Sequence, residues 1–260
     1  MEDAGSKPFY LNLWYYNVHT PLEARASDVA RFKDKLSPEF HHQNETYAAM
    51  VKSVDDNVGR LLNRLADLGI AENTIVVFIS DNGGYINEYK QKAVTSNYPL
   101  KSGKGSLYEG GIRIPTIVYQ PHARANGQKI ETPVSTIDFF PTLLEMTGTV
   151  NDLPVDGKSI LPLLRAEEDT TLKNRTLFWH YPHYYPTTTP VSALREGSWK
   201  LLEYLEDGRT ELYNLTHDIG ESHNLATEEP EKTKILLEKL HNWKVSVNAQ
   251  GITLNPKFKP

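Results

Sequence analysis

The chain has 260 residues, enough for one large domain or two smaller ones with a substantial core. It is 39% hydrophobic, 23% charged and 10% aromatic, with a net charge of −5 that leaves no basic footprint for nucleic acid. No apolar run approaches bilayer length, and the absence of cysteine excludes disulfides, zinc–thiolate sites and any thiol nucleophile within these residues.

The opening stretch, "MEDAGSKPFYLNL", has no charged region followed by an apolar one, so no signal peptide is expected in it. "PFYLNLWYYN" (8–17) is a nearly unbroken apolar and aromatic run and predicts a strand buried on both faces. From about Gln43 to Leu68 the spacing becomes helical. Tyr47, Val51, Val54, Val58, Leu61 and Leu65 recur every three or four residues, and Gly69 stands where a C-terminal cap belongs. In that helix Asp55 and Asp56 read as surface residues. "NTIVVFIS" (73–80) and "IRIPTIVYQP" (112–121) predict two further buried strands, and "TIDFFPTLLEMTG" (136–148) a helix ending at Gly148. This alternation is that of a mostly parallel sheet covered by helices.

The character changes after about residue 152. "RTLFWHYPHYY" (175–185), "VSALREG" (191–197) and "SWKLLEYLEDGRTELYNL" (198–215) predict strands, with Asp207-Gly208 at a hairpin turn. A last helix is expected from about Glu229 to Val247. The expected organisation is an α/β portion over 1–150 and a small α+β subdomain over 151–260, an antiparallel sheet with a helix packed on it.

Three polar clusters each follow a predicted strand, where open α/β sheets bind ligands. "SDNGG" places Asp81 and Asn82 after "VVFI". Their oxygens suit Ca²⁺, with Mg²⁺ as the alternative, yet two ligands fall short of the six or more such ions take. Alone, the stretch is better read as a capped turn with two glycines reversing the chain. "SGKGSLYEGG" sets Lys104 between glycines, so its backbone can approach a ligand while its ammonium meets an anion. The loop departs from the G-x-x-x-x-G-K-[ST] pattern, which argues against a nucleoside triphosphatase. His19 in "YYNVHTP" is the third; a lone histidine before a turn is ordinarily a packing residue.

Taken in order, "FYLNLWYYNVHTP", "VVFISDNGG", "PLKSGKGSLYEGGIRIP", "STIDFFPTLLEMTG" and "ALREGSWKLLEYLEDGRTELYNL" resemble the type I sulfatases of the alkaline phosphatase-like superfamily. The resemblance runs from about Phe9 to the terminal helix. It implies a divalent ion, usually Ca²⁺, held through Asp81 and Asn82, sulfate and leaving-group contact by Lys104, and a general-acid role for His19. A cation, a lysine and an imidazolium all stabilise the negative charge that develops as a sulfate ester breaks. Glu109, Gly110, Gly111 and Arg113 look structural, with an internal Glu–Arg contact expected. By the same resemblance the compartment would be periplasmic, secreted or lysosomal.

The departure is as informative. Family sulfatases carry a Cys-x-Pro-x-Arg or Ser-x-Pro-x-Arg motif whose Cys or Ser becomes formylglycine, and an Asp pair, an arginine, a lysine and a histidine accompany it. None of these is here; "SPEF" (37–40) lacks the rest of the motif. The expectation is therefore a carboxyl-terminal portion, inactive alone, that needs the missing amino-terminal half or a self-association partner. A stand-alone protein that kept a sulfate pocket without catalysis is the alternative; a two-metal phosphatase or phosphodiesterase of the superfamily fits the pattern less well. "FWHYPHYYPTTTP" (178–190) borders the pocket in related sulfatases. His180 and His183 are expected to meet a sulfated carbohydrate there, with packing of Tyr181 and Tyr184 as the equal alternative.

Overall fold

The computed structural model describes all residues except 2–4, 6, 151, 254 and 258–260. In chain order its first elements are α1 (Ala26–Lys33), α2 (Glu45–Asp67), β1 (Val76–Ile79), β2 (Glu88–Tyr89), β3 (Lys92–Ala93), α3 (Glu109–Ile112) and β4 (Thr116–Tyr119). A 3₁₀ turn at Thr136–Asp138 leads into α4 (Phe139–Met146), followed by α5 (Leu161–Leu164) and α6 (Thr170–Lys173). Four strands, β5 (Thr176–Tyr181), β6 (Val191–Glu196), β7 (Trp199–Tyr204) and β8 (Thr210–Asn214), precede α7 (Pro230–Ser246). The chain forms two compact units that do not follow chain order. One comprises Met1–Phe78, Gly84–Ser96 and Thr116–Pro121; the other comprises Ile79–Gly83, Asn97–Pro115 and His122–Pro260.

In the first unit, α2 begins at Asn44, whose side chain accepts the Tyr47 N–H at 3.1 Å and donates to Ala93 O at 3.0 Å. It ends as its sequence predicts: Gly69 takes φ +67°, and the Gly69 and Ile70 amides bond back to Ala66 O and Leu65 O. A small core joins Leu22, Met50 and Val94, with Tyr47, Tyr85 and Tyr89 packed against it. Asp55 and Asp56 are exposed, as expected.

The predicted strands here are corrected in part. β1 and β4 exist and pair with each other, but they are not buried: Phe78 and Ile79 are over a third exposed and Ile117 is 61% exposed. Residues 8–16 form no strand. That run lies open instead, with Trp14 86% and Tyr10 76% exposed. The physical reason is shared. An apolar run becomes a buried strand only when neighbouring strands take up its N–H and C=O groups and other layers cover its faces, and the described residues provide neither for 8–16.

In the second unit the expectations hold closely. β5, β6, β7 and β8 form one antiparallel sheet in sequence order, with Arg195 opposite Lys200 and Lys200 opposite Tyr213. Gly208, at φ +70°, turns the β7–β8 hairpin, and its amide bonds to Tyr204 O at 2.9 Å. Alternation divides the sheet into two buried faces. Leu194, Leu201 and Leu212 meet Leu236 and Leu240 of α7 in a fully buried cluster, each side chain contributing about 1.5–3 kcal/mol relative to exposure. The opposite face, with Val191, Ala193, Leu202, Tyr204 and Tyr213, is covered by Leu107, Tyr108 and Ile112. The glycine-rich loop that carries Lys104 therefore forms one side of a hydrophobic core.

Candidate active site

Asp81 and Asn82 follow β1 directly. Asp81 is exposed and Asn82 half-buried, and Ser80 Oγ donates to Asn82 O at 3.0 Å. The next residue locks this corner to the 97–115 loop, as the Gly83 amide donates to Gly111 O at 2.9 Å. The fit leaves no room for side chains: a Cβ on Gly83 would lie 1.8 Å from Gly110 O, and one on Gly110 2.3 Å from Ser102 O. The Gly110 amide bonds to Lys101 O at 2.9 Å. These glycines are required by close backbone approach, which ties the Asp81–Asn82 corner to the loop that presents Lys104.

The Lys104 backbone is held from outside its own loop. Thr187 Oγ1 donates to Lys104 O at 2.7 Å. Gly105 takes φ +89°, and a Cβ there would meet the Tyr185 ring at 2.2 Å.

Below the loop lies a buried ionic cluster. Glu109 is 1% exposed; its carboxylate lies 2.9 Å from Lys200 Nζ, 3.4 Å from Arg195 and 3.5 Å from Arg113. The expected Glu109–Arg113 contact is therefore present. Lys200, fully buried, also stands 2.9 Å from Glu221 Oε1, without hydrogen-bond alignment, and Glu221 Oε2 accepts the Glu109 amide at 2.6 Å. Burial pushes the Glu109 carboxyl up, but Lys200, Arg195 and Arg113 outweigh it and hold it below the usual carboxylate range. At Glu221 burial wins, and its carboxyl is raised despite Lys200.

Lys101, a residue without an evident role in the sequence, is a pin between loop and sheet. Its Nζ donates to Glu221 O at 3.0 Å and Tyr213 Oη at 3.3 Å, and sits 4.1 Å from the centre of the Tyr108 ring. Tyr108 Oη donates to Glu211 Oε2 at 2.5 Å, as does Tyr213 Oη at 2.9 Å. Burial and this shared carboxylate push both phenols far above their ordinary range.

Sequence reasoning missed Lys200, Arg195, Glu211 and Glu221. Three of them carried a readable signal. In period-2 alternation Lys200 falls with Leu202 and Tyr204, Arg195 with Val191 and Ala193, and Glu211 with Tyr213, all on the face that meets the loop. Glu221 lies in an irregular turn and carried none.

The remaining predicted residues are His19, His180 and His183. His19 belongs to the first unit. It follows a turn closed by its amide on Tyr16 O at 3.0 Å, not a strand, so the expected sheet-edge position is corrected. Its Nδ1 lies 2.6 Å from Thr20 O, and its ring meets the Tyr16 ring edge-on at 5.9 Å. His180 lies on β5 with both ring nitrogens engaged internally, Nδ1 with Ser192 Oγ at 2.8 Å and Nε2 with Gln250 O at 2.7 Å. His183 is exposed beyond the strand end, its ring edge-on to Tyr181 at 5.3 Å.

The donor chemistry at Asp81 and Asn82 suits a hard divalent cation. Among the described residues, however, no group of three or more His, Cys, Asp and Glu side chains is placed to hold a metal. The pair would supply two ligands of a larger set.

Comparison with known proteins decides the family. The sulfatase family model matches residues 1–149, and the model of the carboxyl-terminal region of N-sulphoglucosamine sulphohydrolase matches 103–249. The chain belongs to the sulfatase family. A sulfatase of Formosa agariphila is 37% identical over 94% of this chain and 48% of its own length. Human steryl-sulfatase is 33% identical over 68% of this chain and 29% of its own. Among solved structures, that of Ps i-CgsB in complex with k-i-k-neocarrahexaose matches with a TM-score of 0.78 at 30% identity, over 93% of this chain and 51% of that one. This sulfatase-family chain thus covers only part of the relatives it matches, from 29% to 51% of the length of these three. Its fold is the alkaline phosphatase-like α/β fold in part, with the small antiparallel sheet and its helix appended. No helix among the described residues is long and apolar enough to cross a membrane.

Proposed function

We propose that this chain provides part of the active site of a sulfatase that hydrolyses a sulfate ester on a carbohydrate. The observation that carries the reading is the interlocked pair of loops: a hard-ligand corner at Asp81–Asn82 tied through Gly83 to the loop bearing Lys104. Lys104 binds an oxyanion of the sulfate and neutralises charge on the departing oxygen. His19 delivers the proton to that oxygen; with Nδ1 committed to Thr20 O, the transferable proton sits on Nε2. Asp81 and Asn82 would hold Ca²⁺, or Mg²⁺, which supplies electrostatic stabilisation of the sulfate charge. The nucleophile comes from outside these residues, since neither a Cys-x-Pro-x-Arg nor a Ser-x-Pro-x-Arg motif is present, and a formylglycine on an amino-terminal half is the group that would fit.

A carbohydrate is favoured as substrate because two kinds of relative point that way. The Ps i-CgsB structure holds an oligosaccharide, and a 29%-identical relative from Bacteroides thetaiotaomicron is an N-acetylglucosamine-6-O-sulfatase. With His180 engaged internally, His183 is the histidine of that segment better placed to meet a sugar. The open apolar surfaces of residues 8–16, β1 and β4 support the need for a complementary polypeptide.

The test is desulfation of sulfated oligosaccharides by the complete gene product, followed by release of inorganic sulfate. Activity abolished by Lys104→Ala and reduced at least about a hundredfold by His19→Ala is the expected result. Sulfate release that persists in Lys104→Ala would overturn the reading, as would the absence of release from any sulfated sugar with tight binding retained.

A further inference from the structure

The segment 184–190 is more than a border of the site. Tyr185 and Thr188 close a two-residue turn on each other, with the Tyr185 amide on Thr188 O at 3.0 Å and the Thr188 amide on Tyr185 O at 2.9 Å. Pro186 and Thr187 occupy its two central positions, and the fixed φ of proline stiffens the first. The turn is anchored at its base. Pro190 is buried, its carbonyl accepts the Leu205 amide at 2.9 Å beside the β7–β8 hairpin, and Tyr184 Oη donates to Glu206. From this rigid support two contacts reach Lys104 and its neighbour, and they are the ones already described: the Thr187 hydroxyl on Lys104 O, and the Tyr185 ring against the Cα of Gly105.

We infer that the Tyr185–Thr188 turn is a latch on the glycine-rich loop, and that Thr187 is a positioning residue for Lys104. The loop needs one. Lys104 stands between Gly103 and Gly105, the two most permissive neighbours a residue can have, and its half-buried side chain must hold a defined position to meet a transition state rather than a ground state. Within the loop, the Ser106 amide bonds to Gly103 O at 3.0 Å. The Thr187 hydroxyl fixes the Lys104 carbonyl directly. The ring of Tyr185 then fills the space where a side chain at residue 105 would stand.

The role follows from the proposed sulfatase activity, but the latch can be tested apart from it. Thr187→Val removes the hydroxyl at nearly constant shape, and Thr187→Ser keeps it. In the complete gene product, hydrogen exchange of amides 103–106 should speed up about fivefold in Thr187→Val, the factor expected for one ordinary hydrogen bond. It should return to the native rate in Thr187→Ser, with residues 199–214 unchanged in both. Sulfate release should show kcat falling about tenfold in Thr187→Val with KM within about twofold, and recovery in Thr187→Ser. Unchanged exchange at 103–106 in Thr187→Val overturns the latch whatever the activity. Faster exchange with kcat unaltered overturns the positioning role. Accelerated exchange in a gene product that releases no sulfate even unmutated would retain the latch and defeat the functional reading instead.

Discussion

Lys200→Met is the substitution that most directly tests how the Lys104 loop is supported. Lys200 is fully buried and lies 2.9 Å from both Glu109 and Glu221, themselves 1% and 0% exposed. Methionine preserves most of the volume and removes the charge, leaving two buried carboxylates with only Arg195 and the more distant Arg113 as partners. Removing one member of a buried ion pair costs about 3–5 kcal/mol, which for a chain of this size lowers Tm by roughly 10 °C. The pH dependence carries a sign. Glu109, held low when folded, stabilises above its unfolded range, and that contribution is lost as pH falls through its folded value. Glu221, raised when folded, does the opposite: its contribution is present below the unfolded range and lost as pH rises through the raised value. Without Lys200 both carboxyls lose the ammonium that holds them down and shift upward, so the deficit of the variant should be largest where both are ionised and shrink as pH falls through their raised values. Adding Glu221→Gln, which keeps an acceptor for the Glu109 amide, should recover part of the loss, with a coupling of about 1–3 kcal/mol. Thermal melts across pH on the four proteins read all of this. A deficit below about 1 kcal/mol, or one equal at both ends of the pH range, would refute the view that an unpaired buried charge sets the cost.

Gly83→Ala should be disproportionately harmful for a single methyl group, because its Cβ would fall 1.8 Å from a backbone oxygen that cannot swing aside; a loss of about 3 kcal/mol or more is expected by denaturant titration. Calorimetric titration of the 260-residue chain with Ca²⁺ should give weak binding that Asp81→Ala removes. Tight, stoichiometric binding would mean that further ligands here complete the site. The exposed aromatic run at 8–16 and the open strands β1 and β4 should make the chain self-associate on its own. Sedimentation shows this directly, and in any monomer hydrogen exchange should protect Ile75–Ser80 less than β6 and β7.

Much of this protein was determined by sequence alone, wherever local chemistry and its partners lie close together in the chain. Gly69 ends α2, Gly148 ends α4, and Asp207-Gly208 turns the final hairpin, because caps and tight turns are satisfied by groups a few residues away. The sulfatase motifs are likewise legible, since Asp81, Asn82 and Lys104 sit in short stretches whose glycines have steric causes. Tertiary structure decided the rest. The run at 8–16 has the composition of a buried strand and is none, because strand formation depends on partners that its own residues do not encode. Lys101 and Lys104 lie three residues apart in one glycine-rich loop, and the sequence does not show how either is held. Yet one is a pin against Tyr108, Tyr213 and Glu221, whereas the backbone of the other is held by Thr187, some eighty residues away. Alternation puts Lys200 on the same side of its strand as Leu202 and Tyr204, but nothing near it in the sequence accounts for a buried ammonium. It is buried because Glu109 and Glu221, brought from 91 residues before it and from the turn after the sheet, reach it from elsewhere; a charge can leave water only where the fold delivers its counter-charges, and spacing along the chain does not record that.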